Sequence, residues 1–244
     1  MTSVVAIVQA RMGSTGLEGK VLKHLAGKPM LFHVVDRLRA ASTLDSIVIA
    51  TTQRERDRPI IDLAEEQGLA WYAGPEDDVL ARYEGAAREA GAGVVVRITS
   101  DCPLIDPVTV DGVVRYFSRG DYDYVSAGIN SGFPRGLDTE VFTREALSMA
   151  HRKAEQKAFR EHVTLYICRH PEEFKVGRYS APPELSHPEW RLCVDEEADF
   201  RLMVEIYDRL YEKSTIIDMR EVAGLLLREP RLLRLNAHVR QKEV

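Results

Sequence analysis

The chain is poor in cysteine: Cys102, Cys168 and Cys193 are its only three, an odd number with no CxxC pair. That excludes a disulfide framework and a cysteine-rich zinc site, and leaves reduced thiols that pack as small hydrophobes. Long apolar runs are also missing. None approaches the ~20 residues of a membrane-crossing helix, and the first, Val4 to Val8, gives way to Gln9 and Arg11, too short for a signal peptide. A soluble, cytoplasmic protein without a membrane partner is expected. Positive charge is not in excess either: 33 Lys and Arg against 38 Asp and Glu give a net charge of −5. No general basic surface exists for nucleic acid, so any polyanion site must be local. Internal repeats and low-complexity tracts are absent. So are the GxxxxGK[ST] spacing of a Walker A loop and the GxGxxG of a dinucleotide fold, which disfavours a P-loop ATPase and a dehydrogenase.

What the chain does have is a glycine-rich stretch, Gln9 to Lys28, reading QARMGSTGLEGKVLKHLAGK. Glycines 13, 16, 19 and 27 lie among Arg11, Lys20, Lys23 and Lys28, with Ser14 and Thr15 between. Glycine lets backbone amides converge on an anion, and the cations supply charge, so a phosphate-rich ligand is the simplest guest. An ordinary solvated loop has a similar composition. Position favours a ligand, because the stretch leaves the carboxyl end of an apolar strand, where open α/β sheets bind.

With 45% hydrophobic residues, one compact unit with a substantial core is expected. Leu31, Val34, Val35 and Leu38 fall at helical spacing after Pro29. Ile47–Thr51 reads as a strand, Asp57–Gln67 as a helix, Asp77 or Asp78 as the cap of a helix ending at Gly91, and Val94–Thr99 as a strand covered on both faces. Asp106 and Pro107 open another helix, followed by a strand over Tyr122–Ser126. From about Ile129 the alternation loosens into a lobe spanning 129–190. There the pattern predicts a helix from Thr143 to Lys153, a second over Glu155–His170, and a strand over Phe174–Tyr179. Arg191–Val194 reads as a return to the sheet. A helix through Phe200 and Tyr207 and a last one capped by Asp218 with Glu221 follow, and the tail from Asn236 is expected to fray. The order predicts a doubly wound, mostly parallel sheet.

Asp101 and Asp195 each follow a predicted strand. If both strands share one parallel sheet, both carboxylates emerge at the edge where the glycine-rich loop does. Mg2+ commonly takes one or two protein carboxylates with phosphate oxygens and water, so this set suits a metal-bound nucleoside triphosphate. Singly, each aspartate also reads as a turn residue or cap.

VAIVQARMGST, GKVLKHLAGKPML, GPEDDVLARY, VVVRITSDCPLIDP, FPRGLDTEVF, REHVTLYI and RLCVDEEADF, in that order, resemble the spore coat polysaccharide biosynthesis branch of the cytidylyltransferase family. That family is related to enzymes that attach CMP to sialic acids and 3-deoxy-manno-octulosonate. The resemblance covers nearly the whole chain. It implies the glycosyltransferase-A-like nucleotide-diphospho-sugar transferase fold as one domain over 1–244, with the lobe helping acceptor binding and a homodimer. It also implies a nucleotidyltransferase that uses Mg2+ and CTP with a small acidic sugar-like acceptor, in surface polysaccharide biosynthesis. The rival readings are a nucleotide-sugar-dependent glycosyltransferase and a non-catalytic nucleotide-binding homologue.

By the same resemblance Lys20, Arg11 and Asp101 are the catalytic set, and Asp101 and Asp195 the metal ligands. Gln9, Ala10, Arg11, Gly13, Ser14, Lys20, Asp78, Arg82 and Arg97 fall on the nucleotide side. Arg135, Asp138, Glu140, Glu161 and His162 fall on the acceptor side. The family usually reads RMGSTRLPGK, so Gly16 replaces a basic residue expected to touch phosphate and Glu18 replaces a proline. One lost charge-assisted hydrogen bond costs on the order of 1.5–3 kcal/mol.

Overall fold

The first strand, β1 (Val4–Gln9), is a β-branched and apolar run whose alternate residues enter two different cores: Val5 and Ile7 one, Ala6 and Val8 the other. Only a strand covered on both faces uses such a run. In the computed structural model, which describes residues 2–13, 16–212 and 215–240, β1 is followed by a 3-10 turn at Lys20–Leu22 and a small hairpin of β2 (His24–Leu25) and β3 (Lys28–Pro29). Then come α1 (Met30–Arg39), β4 (Ser46–Thr52), α2 (Arg58–Glu66), β5 (Ala70–Gly74), α3 (Val79–Glu89), β6 (Val94–Thr99) and α4 (Pro107–Arg119). The later half adds β7 (Tyr124–Ala127), β8 (Thr139–Thr143), α5 (Arg144–Lys153), α6 (Lys157–Glu161), α7 (Leu165–Arg169), β9 (Val176–Arg178), α8 (Glu197–Leu210) and α9 (Met219–Arg228).

Seven strands form one sheet in the order β5-β4-β1-β6-β8-β7-β9. β5, β4, β1 and β6 run parallel, β8 is antiparallel to both neighbours, and β9 is parallel to β7. The four parallel strands therefore end at one edge, and the connections leaving Gln9 and Thr99 share it. Residues of α1, α4, α8 and α9 pack one face, and residues of α3, α5 and α7 the other. This is the mixed α/β, mostly parallel sheet that the sequence predicts. The segment 129–190 adds β8 and β9 to that sheet.

Several elements depart from the sequence reading. The single helix expected over 155–170 is two short helices, α6 and α7, separated at His162, where φ is −105° and ψ 84°. Thr164 in the break donates to Glu140 Oε1 at 2.6 Å and Val163 is fully buried, so tertiary contacts override helical continuity. Arg191–Val194 makes a single bridge with Arg135 rather than a sheet strand. It is pinned from outside the sheet by Leu192 N to Arg135 O at 2.7 Å and Val194 N to Asp101 O at 2.8 Å. The strand β5 (Ala70–Gly74) is absent from the sequence reading, which passes from the helix ending near Gln67 directly to the cap at Asp77 or Asp78. Asp218 caps α9 by accepting from Arg220 N at 2.8 Å, and among the described residues Glu221 returns no bond to complete the capping box.

Gly136 lets the 191–194 segment come close. Its φ is +104°, and a Cβ there would lie 2.5 Å from the Leu192 carbonyl. Side chains are disfavoured at such φ, and backbone on the far side cannot swing away. Gly136→Ala is expected to cost about 2–4 kcal/mol and to lower Tm by roughly 5–15 °C in a scanning calorimeter.

Candidate active site

The glycine-rich loop is tied down at both ends. Met12 N donates to the fully buried Asp57 at 2.6 Å, Gly19 N to Met12 O at 3.1 Å, and Leu17 N to Asp195 O at 2.8 Å. Gly19 has φ +63°, the left-handed conformation that suits glycine. Gly16 lies so close to the Asp195 carbonyl that a Cβ would stand 2.2 Å from its oxygen.

The bonds at its far end aim Lys20 at the sheet edge. The Lys20 ammonium donates to Asp101 Oδ2 at 3.0 Å, Asp195 Oδ1 at 2.7 Å and Val194 O at 2.7 Å. Burial would lower the lysine pKa, but the two carboxylates outweigh it and raise it. Burial would raise Asp195, and Lys20 with Arg191 overrules that, so its pKa is lowered. Asp195 is therefore a carboxylate at neutral pH, and it shares the Lys20 cation with Asp101.

Asp195 is positioned from behind. Arg191 donates to its Oδ2 at 2.5 Å and to the carboxylate of Asp199 at 2.9 and 3.2 Å. Asp199, fully buried, also accepts from the amides of Asp195 and Glu196, each at 3.0 Å. It closes the capping box at the start of α8.

Across the cleft, Arg97 on β6 stands opposite Glu140 on β8 and pairs with it. Glu140 also accepts from Tyr124 OH at 2.5 Å and Thr164 Oγ1 at 2.6 Å. Burial alone would raise the Glu140 pKa, but Arg97 and these donors lower it. Two arginines of this cleft retain unfilled donors: Arg82 Nε and Nη1 and Arg97 Nε are buried without a partner among the described residues. Arg82 is 2% exposed. A guanidinium stays charged at any physiological pH, so such a group in a cavity wall calls for an oxygen acceptor.

Gln9, Ala10, Arg11, Lys20, Arg82, Arg97, Asp101 and Asp195 line one cavity of about 340 Å³, joined from the later half by Glu161 and His162. Other expected residues stand outside its lining. Gly13 packs against the Arg56 guanidinium. Asp78 caps α3 and pairs with Arg160. Glu140 acts through Arg97, Asp138 accepts from Gly136 N at 2.9 Å, and Arg135 bridges to Arg191 by its backbone. Ser14 lies outside the described residues. Sequence reasoning missed Arg191, Asp199 and Asn236. Arg191 and Asp199 had one signal, spacing, since Arg191, Asp195 and Asp199 recur every fourth residue, and Asn236 had none.

The edge-bound cleft and its sheet define a nucleotidyltransferase of the nucleotide-diphospho-sugar transferase fold. The structure of a cytidylyltransferase from Leptospira borgpetersenii serovar Hardjo-bovis matches with a TM-score of 0.89 and 25% identity, over 100% of both chains. The chain belongs to the cytidylyltransferase family, whose profile matches residues 5–222. It is 32% identical over 237 residues to the spore coat polysaccharide biosynthesis protein SpsF of Bacillus subtilis, covering 94% of this chain and 96% of that one. A 3-deoxy-manno-octulosonate cytidylyltransferase of Anaeromyxobacter sp. (strain Fw109-5) is 37% identical over 123 residues, 49% of each chain. Among the described residues no helix is long and apolar enough to cross a membrane.

Glu140→Gln gives a pH-dependent loss. A carboxylate with a lowered folded pKa stabilises above its unfolded pKa of about 4.3, and that contribution disappears as pH falls through the folded value. The variant should be less stable than the parent by about 2 kcal/mol at pH 7, and the gap in urea-melt stability should close below about pH 4.

Proposed function

We propose that the protein transfers CMP from CTP to a hydroxyl of an acidic sugar or related small acceptor, releasing pyrophosphate, in surface polysaccharide biosynthesis. The observation that carries this reading is the Lys20 ammonium held by Asp101, Asp195 and Val194 O at one sheet edge, beside the unfilled Arg82. Anionic and cationic groups meet there in a cleft of about 340 Å³, as a metal-bound triphosphate requires.

The donor set fits Mg2+. Three oxygens already surround one cationic head, and all are hard ligands. Asp101 and Asp195 would hold the ion, and when bound it supplies charge neutralisation to the phosphate oxygens.

Arg11, Arg82 and the loop amides hold the triphosphate, and Lys20 moves from the carboxylates toward phosphate as substrate enters. Positioning and charge, rather than a covalent intermediate, then accelerate transfer. The acceptor oxygen bonds to the α-phosphorus, the bond from that phosphorus to the bridging oxygen breaks, and pyrophosphate leaves while the hydroxyl proton passes to solvent. The preference for cytosine and an acidic acceptor is supported by the family and by the relatives' names.

Incubation with CTP, Mg2+ and a panel of sugar acids should release pyrophosphate. Asp101→Ala and Asp195→Ala should each reduce the rate by about 10²- to 10³-fold, the range seen when charge stabilisation is removed. Absence of both CTP binding and pyrophosphate release across the panel would end this reading.

A further inference from the structure

Beyond α9, a 3-10 turn at Leu232–Arg234 redirects the chain. Asn236, instead of fraying, is 3% exposed. Its Nδ2 donates to Arg191 O and to Asp199 Oδ1, both at 2.9 Å. This is the carboxylate that also holds Arg191 and the amides of Asp195 and Glu196. Val239 N then donates to Asn236 O at 3.0 Å, and the turn sets Val239 and Arg240 into the wall of the cleft.

Part of the positive charge of the cleft is already committed, while Arg82 keeps unfilled donors. Lys20 is shared by Asp101 and Asp195, Arg97 is paired with Glu140, and Arg191 with Asp195 and Asp199. The loop cannot add a side chain at position 16, because a Cβ would meet the Asp195 carbonyl at 2.2 Å. Arg240, which lines the same cavity as Gly16, Asp195 and Glu196, makes no ion pair among the described residues.

We infer that residues 236–240 are a working wall of the active site: Asn236 is a positioning residue that hooks the segment onto Asp199, and Arg240 binds the phosphate chain of the substrate. The inference rests on the nucleotidyltransferase reading above, and deepens it by adding a phosphate contact from the far end of the chain.

Inorganic tripolyphosphate and CTP, titrated calorimetrically into the full chain and its Arg240 variants, separate the two. Arg240→Ala should raise the tripolyphosphate Kd about 3- to 10-fold, as for loss of one rim charge, Arg240→Glu should raise it further, and Arg240→Lys should stay within about 2-fold of the parent. All three should melt within about 1 °C of the parent, since the side chain is exposed. Asn236→Ala should show the same weakening and, unlike the Arg240 variants, a lower Tm. An Arg240→Glu protein that binds tripolyphosphate as the parent does overturns the inference, as does an effect confined to the sugar-acid KM. A parent that binds neither ligand overturns it too. A parent that binds tripolyphosphate, with the Arg240 effect, but neither binds CTP nor releases pyrophosphate supports the inference and sinks the cytidylyl reading alone.

Discussion

One ammonium group holds the site together. Asp101 and Asp195 come from segments far apart in the chain, and without a cation between them their charges would repel. Lys20 satisfies both, at 3.0 and 2.7 Å, and takes a carbonyl as well. Its side chain is 9% exposed, while those of the aspartates are 25% and 39% exposed. Water screens the carboxylates on their open side, so the triad contributes less to stability than to position. The buried ammonium fixes where the two negative charges stand before any ligand arrives. Everything on the rim takes its place from that point: the loop bonded to the Asp195 carbonyl, the Arg191–Asp199 pair behind it, and the segment hooked on by Asn236.

The parallel half of the fold, apart from its edge strand β5, was legible because its strands carry near-continuous apolar runs and its helices regular stripes. Val4–Gln9 and Val94–Thr99 have no competing local reading. The later half was harder, since contacts distant in sequence decide it. Thr164 and Val163 break a helix that spacing alone favours, and the segment delivering Asp195 is held by carbonyls of residues 101 and 135 rather than by a ladder. The chemistry followed the same division. Arg11 and Asp101 stand two residues beyond strand ends that periodicity locates. Arg191, Asp199 and Asn236 act through bonds among themselves, of which the sequence shows no more than the four-residue spacing of Arg191, Asp195 and Asp199. Gly16, read as the loss of a phosphate contact, also has a steric basis, since the loop passes too near the Asp195 carbonyl for any side chain.

A net charge of −5 and a cationic cleft are compatible because the arginines and lysine around the cavity are held on a framework of acids. Glu140 carries three donors and Asp199 five, so each acid orients a set of groups rather than one. Such networks are costly when half satisfied and rigid when complete. Rigid charge is what transfer of a nucleotidyl group uses, because groups already placed need not reorganise as the reaction proceeds.

The site also draws on both early and late parts of the chain, with consequences during synthesis. A ribosome elongating at about 5–20 residues per second takes roughly 5–20 s to travel from codon 101 to codon 195. Throughout that interval the nascent protein presents a lysine and one aspartate whose common partner has not been made. The cleft is thus a checkpoint of completion: a polypeptide cut short within that window keeps the parallel strands and lacks the pocket they are meant to serve.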